Sequence, residues 1–443
     1  MTITQQHPAF VETYSADEVE HTYRKIALRL MPFLIICYIV SYLDRANISF
    51  AKLQFMSDLG FSETAYGLGA GLFFVGYVLF EVPSNLWMQR IGARRTLLRI
   101  MILWGLISSA MMFVNTPTQF YVMRFFLGAA EAGFFPGVIF YLTYWFPASR
   151  RGRVTGFFMM GAATAGIIGG PLSTWIMVHM ADLHGLRGWQ WLFLLEGLPA
   201  VFLGVIAFYY LCDKPGDATW LSAREKAIVR GDLAAEEQGE PKGRGHGLGQ
   251  ALRNPKLYVG MVGYFCVLVS FNAIGFWAPT IIRDVGVTDL VQVGLLSSVV
   301  FLAGAAGTYV VGYSSDIRME RRWHLLACGA VIALCFALLP LIAHNITYAI
   351  TLLSLAAAAS YGGFVVFWTI PATFLTGNTK ASGIALITSL GGIGAFVSPT
   401  LVGWMKSTTG SIYAGLGILG VITLIGAVII LVAIPANKGA RHA

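Results

Sequence analysis

Four charged side chains lie inside long apolar runs of the sequence, where a charge is costly. Asp44 and Arg45 are neighbours in the first run, and Arg124 and Glu131 lie seven residues apart in a later one. Seven residues are nearly two helical turns, so Arg124 and Glu131 share one face about 10 Å apart. Gly128, between them, is expected to leave space for an anion, a water molecule or an extended arginine. Two carboxyl groups beside two arginines predict a proton-sensitive anion site, because burial favours the neutral acid and a nearby arginine favours the carboxylate.

These charges have a plainer interpretation as structural ion pairs between helices. Adjacent residues point about 100° apart on a helix, so Asp44 and Arg45 each need a partner elsewhere. Two further acids, Glu81 and Glu196, are expected near run ends, where capping or latching is the simpler role. The second half of the chain places no Asp, Glu, Lys or Arg in its apolar runs. Ionic chemistry is therefore expected from the first half, and shape and neutral polar contacts from the second.

The apolar runs are long enough to cross a membrane. Hydrophobic residues make up 56% of the chain and charged residues 12%, with a mean hydropathy of +0.69. A soluble domain carries about 25% charged residues, so a soluble enzyme is excluded. A transmembrane helix needs about 20 apolar residues. Twelve such runs are predicted, near 28–50, 65–88, 97–114, 120–144, 154–178, 190–211, 257–282, 291–313, 323–342, 347–374, 381–405 and 411–435.

The basic residues predict the orientation of these spans. Of 30 Lys and Arg residues, 24 lie in the two tails and the even-numbered loops, counting Arg29 and Arg99 at the adjoining span ends. Four lie in the odd-numbered loops, and Arg45 and Arg124 lie deeper within spans. Cytoplasmic loops are the basic ones, so both termini are predicted to be cytoplasmic. The net charge of +8 is then an orientation signal, and no nucleic-acid partner is expected. The expected organisation is an N-terminal tail (1–27), a six-helix bundle (28–211), a cytoplasmic central loop (212–256), a second six-helix bundle (257–435) and a C-terminal tail (436–443).

The two halves repeat each other at an offset of 227 residues. Arg94 and Arg95 of the second loop align with Arg321 and Arg322 of the eighth. Two six-span halves joined by a basic loop are a transporter architecture, with the substrate near the midplane between them. Both loops resemble the G-x-x-x-D-R-x-G-R-R motif of the major facilitator superfamily. The resemblance implies that superfamily's all-α fold of twelve transmembrane helices in two pseudo-symmetric bundles, and a cytoplasmic latch formed by Gln89, Arg90, Gly92, Arg94, Arg95, Gly312, Asp316, Arg321 and Arg322.

The two copies of the motif are not equally complete. The eighth-loop copy keeps the glycine at Gly312 and the acid at Asp316, whereas the second-loop copy has Asn85 and Gln89 at those positions. A weaker or rearranged latch is therefore expected in the first half.

Longer stretches resemble one branch of that superfamily, the anion:cation symporters, and in particular bacterial tartrate-, phthalate- and hydroxyphenylacetate-type permeases. They include YLDRANISFA in span 1, RFFLGAAEAGFFPG in span 4, GWQWLFLLEGLPA in span 6 and GFWAPTII in span 7. The resemblance implies that Asp44 and Glu131 couple protons, that Arg45 contacts the substrate carboxylate, and that Arg124 pairs with the coupling acids. The candidate substrate-binding residues are Arg45, Arg124, Tyr42, Tyr77, Asn272, Phe276, Trp368, Thr388 and Ser389.

Span 11 departs from the tartrate-like pattern. Thr388 and Gly392 stand where asparagines are usual in those relatives. Losing two amides is expected to open space, and predicts a substrate with fewer hydroxyl groups, such as an aromatic carboxylate that stacks on Trp368 or Phe276. The alternative is drift within the family that leaves the substrate unchanged.

The predicted function is proton-coupled uptake of a small organic anion across the cell inner membrane by alternating access. The proton gradient is the energy source, no cofactor or metal is expected, and the protein is expected to work as a monomer in the lipid bilayer. One alternative is an organic-anion exchanger without proton coupling, and another is a membrane sensor that binds an anion without moving it. An enzyme is not expected, because no metal-ligand cluster, phosphate loop or nucleophile triad occurs in the sequence.

Overall fold

The computed structural model describes residues 14–239, 247–342, 345–375 and 379–435. These residues form sixteen α-helices joined by short connections. The helices are α1 (Ala16–Leu59), α2 (Glu63–Ile91), α3 (Ala93–Ala110), α4 (Pro117–Glu131), α5 (Phe134–Thr143), α6 (Ala148–His179), α7 (Gly188–Tyr210), α8 (Ala223–Gly239), α9 (Gly247–Leu252), α10 (Pro255–Asp284), α11 (Leu290–Arg318), α12 (Arg322–Ile342), α13 (Ile346–Thr369), α14 (Thr379–Gly391), α15 (Ile393–Thr409) and α16 (Ile412–Ala433).

Twelve helical segments in this part of the chain are long and apolar enough to cross a membrane, which confirms the predicted spans. Two spans are split: α4 and α5 form the fourth, and α14 and α15 form the eleventh. The first helix begins earlier than the predicted span, because Ser15 and Glu18 form a capping box that satisfies the first backbone N–H groups. Half of the predicted N-terminal tail therefore continues the first transmembrane helix.

The twelve spans form two bundles that repeat each other's packing. In the first half α1 packs on α6 and α7, α2 on α4, and α3 on α7; in the second half α10 packs on α15 and α16, α11 on α13, and α12 on α16. These pairs correspond when each span is matched to the one six places later. The repeat at offset 227 therefore relates two bundles with the same internal arrangement.

The helices meet between the bundles in two symmetric places, α2 against α15 and α6 against α11. A Cβ atom at Gly67 of α2 would overlap the backbone oxygen of Pro399, and one at Gly294 of α11 would overlap that of Gly170. Gly67 and Gly294 are 227 residues apart (294 − 67), so the repeat places a glycine at the same point in each contact. The missing side chains allow the backbones of the two halves to touch.

The contacts between the halves define one closed end of the molecule. We call the end that carries α8 and the α2–α3 loop the basic end, and the end that carries the α1–α2 and α10–α11 loops the far end. At the far end the Tyr66 hydroxyl donates to the backbone oxygen of Phe276 at 3.1 Å, and Arg283 donates to that of Leu53 at 2.8 Å. The backbone N–H of Thr64 also donates to a side chain of α15, at 2.9 Å. The bundles are thus joined at the far end.

The central segment docks on the first bundle through α8. Ser222 and Glu225 form the capping box that begins this helix. Lys25 of α1 binds Glu225 at 2.9 Å, and the Tyr23 hydroxyl donates to Asp232 at 2.9 Å. The predicted linker that follows α8 lies largely outside the described residues.

Candidate functional site

The centre of the first bundle contains a buried ion pair between α1 and α4. The Arg45 guanidinium donates from Nε to Glu131 Oε1 at 2.7 Å, and the Ser41 hydroxyl donates to the same oxygen at 2.6 Å. Glu131 is fully buried, whereas the Arg45 side chain is 26% exposed. Glu131 therefore anchors an arginine whose side chain stays partly exposed.

Asp44 turns away from Arg45 and faces α3. Its Oδ1 accepts hydrogen bonds from the Ser108 hydroxyl and from Asn47 Nδ2, the second at 3.0 Å. Asp44 is 1% exposed. The prediction that these two neighbours face different helices agrees with this arrangement, because Arg45 meets α4 and Asp44 meets α3.

Arg124 is buried beside these groups but does not pair with them as the resemblance implied. Its Nε donates to the backbone oxygen of Gly69 at 3.4 Å, and its guanidinium lies 4.8 Å from the centre of the Phe73 ring. The Arg45 guanidinium lies 5.6 Å from the same ring. Among the described residues, the ion pair to Glu131 comes from Arg45. Phe73 thus contacts both cations, and a ring face attracts cations.

The expected space beside Gly128 is absent. The backbone of Phe73 in α2 occupies the place where a Cβ atom of Gly128 would lie. Gly128 therefore permits close packing of α2 on α4 and does not form a binding space. The expectation was wrong because spacing along one helix does not reveal which neighbour packs against it.

The fourth span breaks directly after Glu131, a feature that the sequence analysis missed. Helix α4 ends at Glu131, Ala132 is extended (φ −55°, ψ 131°), and Gly133 has φ 90°, in the left-handed region that favours glycine. A helix end inside a membrane leaves backbone carbonyls without their usual partners. Gly133 in the sequence AEAGFFPG was the available signal, together with the proline three residues later.

Four polar atoms of this cluster are buried and have no hydrogen-bond partner among the described residues. They are Asp44 Oδ2, Arg45 Nη2, Arg124 Nη1 and Glu131 Oε2. Buried polar groups are normally satisfied. Two oxygens and two nitrogens left in one place form a site suited to protons and to an anion.

The predicted aromatic residues divide into accessible and buried groups. Tyr42, Tyr77 and Trp368 are half-buried. The Arg45 guanidinium lies 4.9 Å from the Tyr77 ring centre, and Trp368 meets Tyr264 of α10 edge to face at 4.9 Å. Phe276 is 7% exposed and packs on Phe74 at 5.9 Å. Trp368 is therefore better exposed for stacking than Phe276.

Two of the three predicted polar residues of the second half donate hydrogen bonds to the backbone of their own helix. Asn272 donates a hydrogen bond to the backbone oxygen of Leu268 at 2.9 Å. The Thr388 hydroxyl donates to the backbone oxygen of Ala385 at 2.9 Å. Ser389 is half-buried on the same helix.

Gly392 does not open the expected space. It lies at the break between α14 and α15, where a Cβ atom would be 2.5 Å from the Thr388 backbone oxygen and 3.6 Å from Val78 of α2. A helix break and a neighbouring helix fill the position, which the sequence pattern alone did not reveal.

A second charged cluster closes the far end, and the sequence analysis missed it. Lys52 of α1 pairs with Glu63 of α2 at 2.7 Å, and Lys406 of α15 pairs with Asp284 of α10 at 2.9 Å. Glu63 also pairs with Lys406 across the halves at 3.1 Å. Lys52 is only 4% exposed, and its Nζ lies 3.9 Å from the Trp277 ring centre. We call Lys52, Glu63, Asp284 and Lys406 the far-end cluster.

A signal for the far-end cluster was present in the charge count. Only four basic residues, Lys52, Arg187, Arg283 and Lys406, were predicted on that side. Basic residues are rare on that side of membrane proteins, so each of the four needs an explanation. Lys52, Arg283 and Lys406 bind across the interface between the halves.

The two remaining acids do not lie at helix ends as expected. Glu81 is half-buried in α2, ten residues before that helix ends at Ile91. Glu196 is 4% exposed in the middle of α7, where the Ser173 hydroxyl donates to it at 2.7 Å. The predicted capping roles are wrong because α2 and α7 extend well beyond both residues.

The two latch motifs differ in structure as their sequences suggested. In the second half Arg321 binds Asp316 at 2.6 Å, Arg322 donates to the backbone oxygen of Ile434 at 2.9 Å, and Gly312 lies near α13. In the first half Asp213 accepts from the Arg94 backbone at 3.0 Å and fills the place beside Gly92. Asp213 thus supplies the carboxylate that the second-loop motif lacks at Gln89. Arg90 lies in the last turn of α2, and Arg95 lies in the first turn of α3.

Comparisons with known proteins agree with this architecture. A family model described as Major Facilitator Superfamily matches residues 34–379 and 288–443. The chain is 47% identical over 417 residues to the "Putative metabolite transport protein NicT" of Pseudomonas putida, covering 94% of each protein. It is 42% identical over 421 residues to a "Putative tartrate transporter" of Agrobacterium vitis, covering 94% of this chain and 96% of that one.

The fold also matches a solved structure described as a partially occluded inward open conformation of the xylose transporter XylE from E. coli. The TM-score is 0.74 at 14% sequence identity, over 94% of this chain and 99% of that one. The chain therefore belongs to the major facilitator superfamily, a family of membrane transporters, and the predicted fold class is confirmed.

Proposed function

We propose that this transporter couples proton entry to the uptake of a small organic carboxylate across the cell inner membrane, with both termini in the cytoplasm. The observation that carries the proposal is the buried Arg45–Glu131 pair at 2.7 Å, with Arg45 partly exposed. We place the substrate on this exposed part, in a cavity between the bundles that opens toward the basic end, because the far end is closed. A carboxylate substrate offers Arg45 the same oxygen chemistry that Glu131 does. Substrate and Glu131 therefore compete for one guanidinium.

This competition links substrate binding to protonation. When a substrate carboxylate takes Arg45, Glu131 loses its cation, and a buried carboxylate without a cation is costly. Glu131 then takes up a proton, while Ser41 remains beside it at 2.6 Å. Asp44 is a second proton carrier, because its Oδ2 is buried and has no hydrogen-bond partner among the described residues. The relative named as a tartrate transporter supports a carboxylate substrate.

The cavity supports a substrate with an apolar or aromatic body. Tyr42, Tyr77 and Trp368 are its half-buried aromatic candidates, and the Thr388 hydroxyl is already engaged by its own helix. Aromatic rings recognise a flat apolar surface, whereas a hydroxy acid needs free hydrogen-bonding groups. Competition of unlabelled tartrate and benzoate for uptake of a labelled substrate tests this. Inhibition by tartrate alone would contradict the aromatic preference.

Proteoliposomes loaded with a pH-sensitive dye test the coupling. Adding substrate outside should acidify the interior, and Glu131→Gln and Asp44→Asn should abolish accumulation driven by a pH gradient. One pH unit supplies about 1.4 kcal/mol per proton, or about tenfold accumulation. An anion exchanger would instead take up substrate only against a preloaded anion, without acidification. Full gradient-driven accumulation by both variants would contradict the assignment.

A further inference from the structure

The first bundle contains a third buried acid that the proposed mechanism does not use. Glu196 lies in the middle of α7 and is 4% exposed. The Ser173 hydroxyl of α6 donates to its Oε1 at 2.7 Å, while Oε2 is buried and has no hydrogen-bond partner among the described residues. The ion pairs of the described residues do not include Glu196, in contrast to Glu131 with Arg45. A buried carboxylate with one hydrogen bond and no cation is expensive, so the neutral acid is the stable form.

Glu196 and Asp44 lie on helices that meet the same point of α3. Helix α7 packs on both α1 and α3. Gly197, the next residue, lies so close to α3 that a Cβ atom there would be 2.6 Å from the Ser109 hydroxyl oxygen. The preceding residue, Ser108, donates its hydroxyl to Asp44. Asp44 therefore contacts Ser108, and the residue after Glu196 lies beside Ser109, while each of the two acids keeps one unpartnered carboxyl oxygen among the described residues.

The surroundings of Glu196 contain no counter-charge on the elements packed against it at this point. From α1 the acidic group at this point of α3 is Asp44, which binds Ser108. From α6 the Ser173 hydroxyl binds Glu196, and from α3 Ser109 lies beside the adjacent Gly197. Two carboxylates with no cation between them repel each other, so ionising both is more costly than ionising one.

We propose that Glu196 stores a proton and exchanges it with Asp44 during the transport cycle. When Asp44 has lost its proton, the O–H bond of Glu196 breaks and an O–H bond forms on Asp44 Oδ2. Glu196 is then a carboxylate that keeps the hydrogen bond from Ser173, and the pair still holds one proton and one negative charge. The exchange keeps a proton in the bundle, away from the substrate cavity. The inference rests on the proposed proton coupling and adds a carrier to it.

Glu196→Gln separates this role from a structural one. Glutamine keeps the shape of the side chain and an oxygen for Ser173 to bind, so a merely structural Glu196 tolerates the change. A proton carrier does not, because an amide does not exchange a proton in this way. We expect Glu196→Gln to keep substrate exchange between equal pH values within about twofold. With a gradient of one pH unit it should lose the roughly tenfold accumulation that one proton supports.

Two further variants complete the experiment. Glu196→Asp should restore part of the accumulation, because it restores the titratable group. Ser173→Ala removes the donor that stabilises the charged form, so the pH midpoint of uptake should move upward. This shift tests the proposal even if Glu196→Gln does not fold. Wild-type accumulation and pH profile in Glu196→Gln, or an unchanged midpoint in Ser173→Ala, would overturn the proposal.

Wild type and Asp44→Asn in the same vesicles identify which idea fails. If wild type exchanges substrate but shows no gradient-driven accumulation, the proposed proton coupling itself is wrong. If wild type accumulates, Asp44→Asn does not, and Glu196→Gln behaves as wild type, only the role of Glu196 is wrong.

Discussion

The far-end cluster makes a quantitative prediction about the conformational equilibrium. Lys52 and Glu63 form a pair within the first half, and Asp284 and Lys406 form one within the second. When the halves separate, each keeps its own neutral pair, and the ion pair lost is Glu63–Lys406 at 3.1 Å. No unpaired charge is left behind, so the cluster can open and close reversibly. Lys406→Gln should therefore favour the form that is open at the far end.

The size of the shift follows from the burial of the pair. The side chains of Lys406 and Glu63 are 16% and 21% exposed. Exposed pairs contribute about 0.2–1 kcal/mol, and breaking a fully buried pair costs about 3–5 kcal/mol. A value of about 1.5–2 kcal/mol is expected between these limits, which shifts the equilibrium by about 10- to 30-fold. The Lys406–Asp284 pair lies within the second half in both the closed and the open form. Its loss therefore changes the free energy of the two forms by a similar amount and has little effect on the equilibrium between them.

Distance measurements between spin labels can detect this shift. In a chain whose five native cysteines are replaced, labels are attached to cysteines introduced by Ser57→Cys and Thr408→Cys, both at exposed positions. The distance between the two labels then measures the separation of the halves at the far end. Lys406→Gln should raise the population with the long distance. Arg187→Gln is a matched control, because Arg187 pairs at 2.6 Å with Asp58 of its own half. An unchanged distribution in Lys406→Gln, or an equal change in the control, would refute the reasoning.

Three further predictions concern packing and docking. Gly67→Ala places a methyl group against the backbone of the other half, so the far end should close less well. The variant should be expressed normally but exchange substrate more slowly in proteoliposomes. Gly128→Ala overlaps α2 within one bundle and should lower the thermal stability of the detergent-solubilised protein; unchanged melting would contradict the packing. Burial raises the pKa of Glu225, but hydrogen bonds from Lys25 and from the N-terminal turn of α8 outweigh it and hold the pKa below 4.5. The stabilisation by Glu225 is therefore present above pH 4.5 and lost as the pH falls. Glu225→Gln should lower the free energy of unfolding by no more than about 1 kcal/mol at pH 7, because solvent screens the exposed Lys25, and should not change it in strong acid. An equal loss of stability at both pH values would contradict the ion pair.

The architecture could be predicted from the sequence, because lipid imposes a simple rule on every segment. Apolar runs of sufficient length must be helices, and scarce charges stand out against them. The twelve spans and the two halves followed from local patterns, and so did the choice of Asp44, Arg45, Arg124 and Glu131 as charges inside the first bundle. The resemblance implied two pseudo-symmetric bundles, and their matching helix contacts confirm this.

The tertiary structure decided which charges meet, because pairing depends on the rotation and depth of each helix. Arg45 binds Glu131, while Arg124 lies against Phe73 and the backbone of α2. Lys52 appeared in sequence to be an ordinary loop lysine, and it is buried in a cluster that spans both halves. Glu196 appeared to be near a helix end, and it lies deep inside the bundle. The sequence reveals that a charge in lipid is costly. Its partner depends on how separate helices pack, as for Arg45 and Glu131, which are 86 positions apart in the chain.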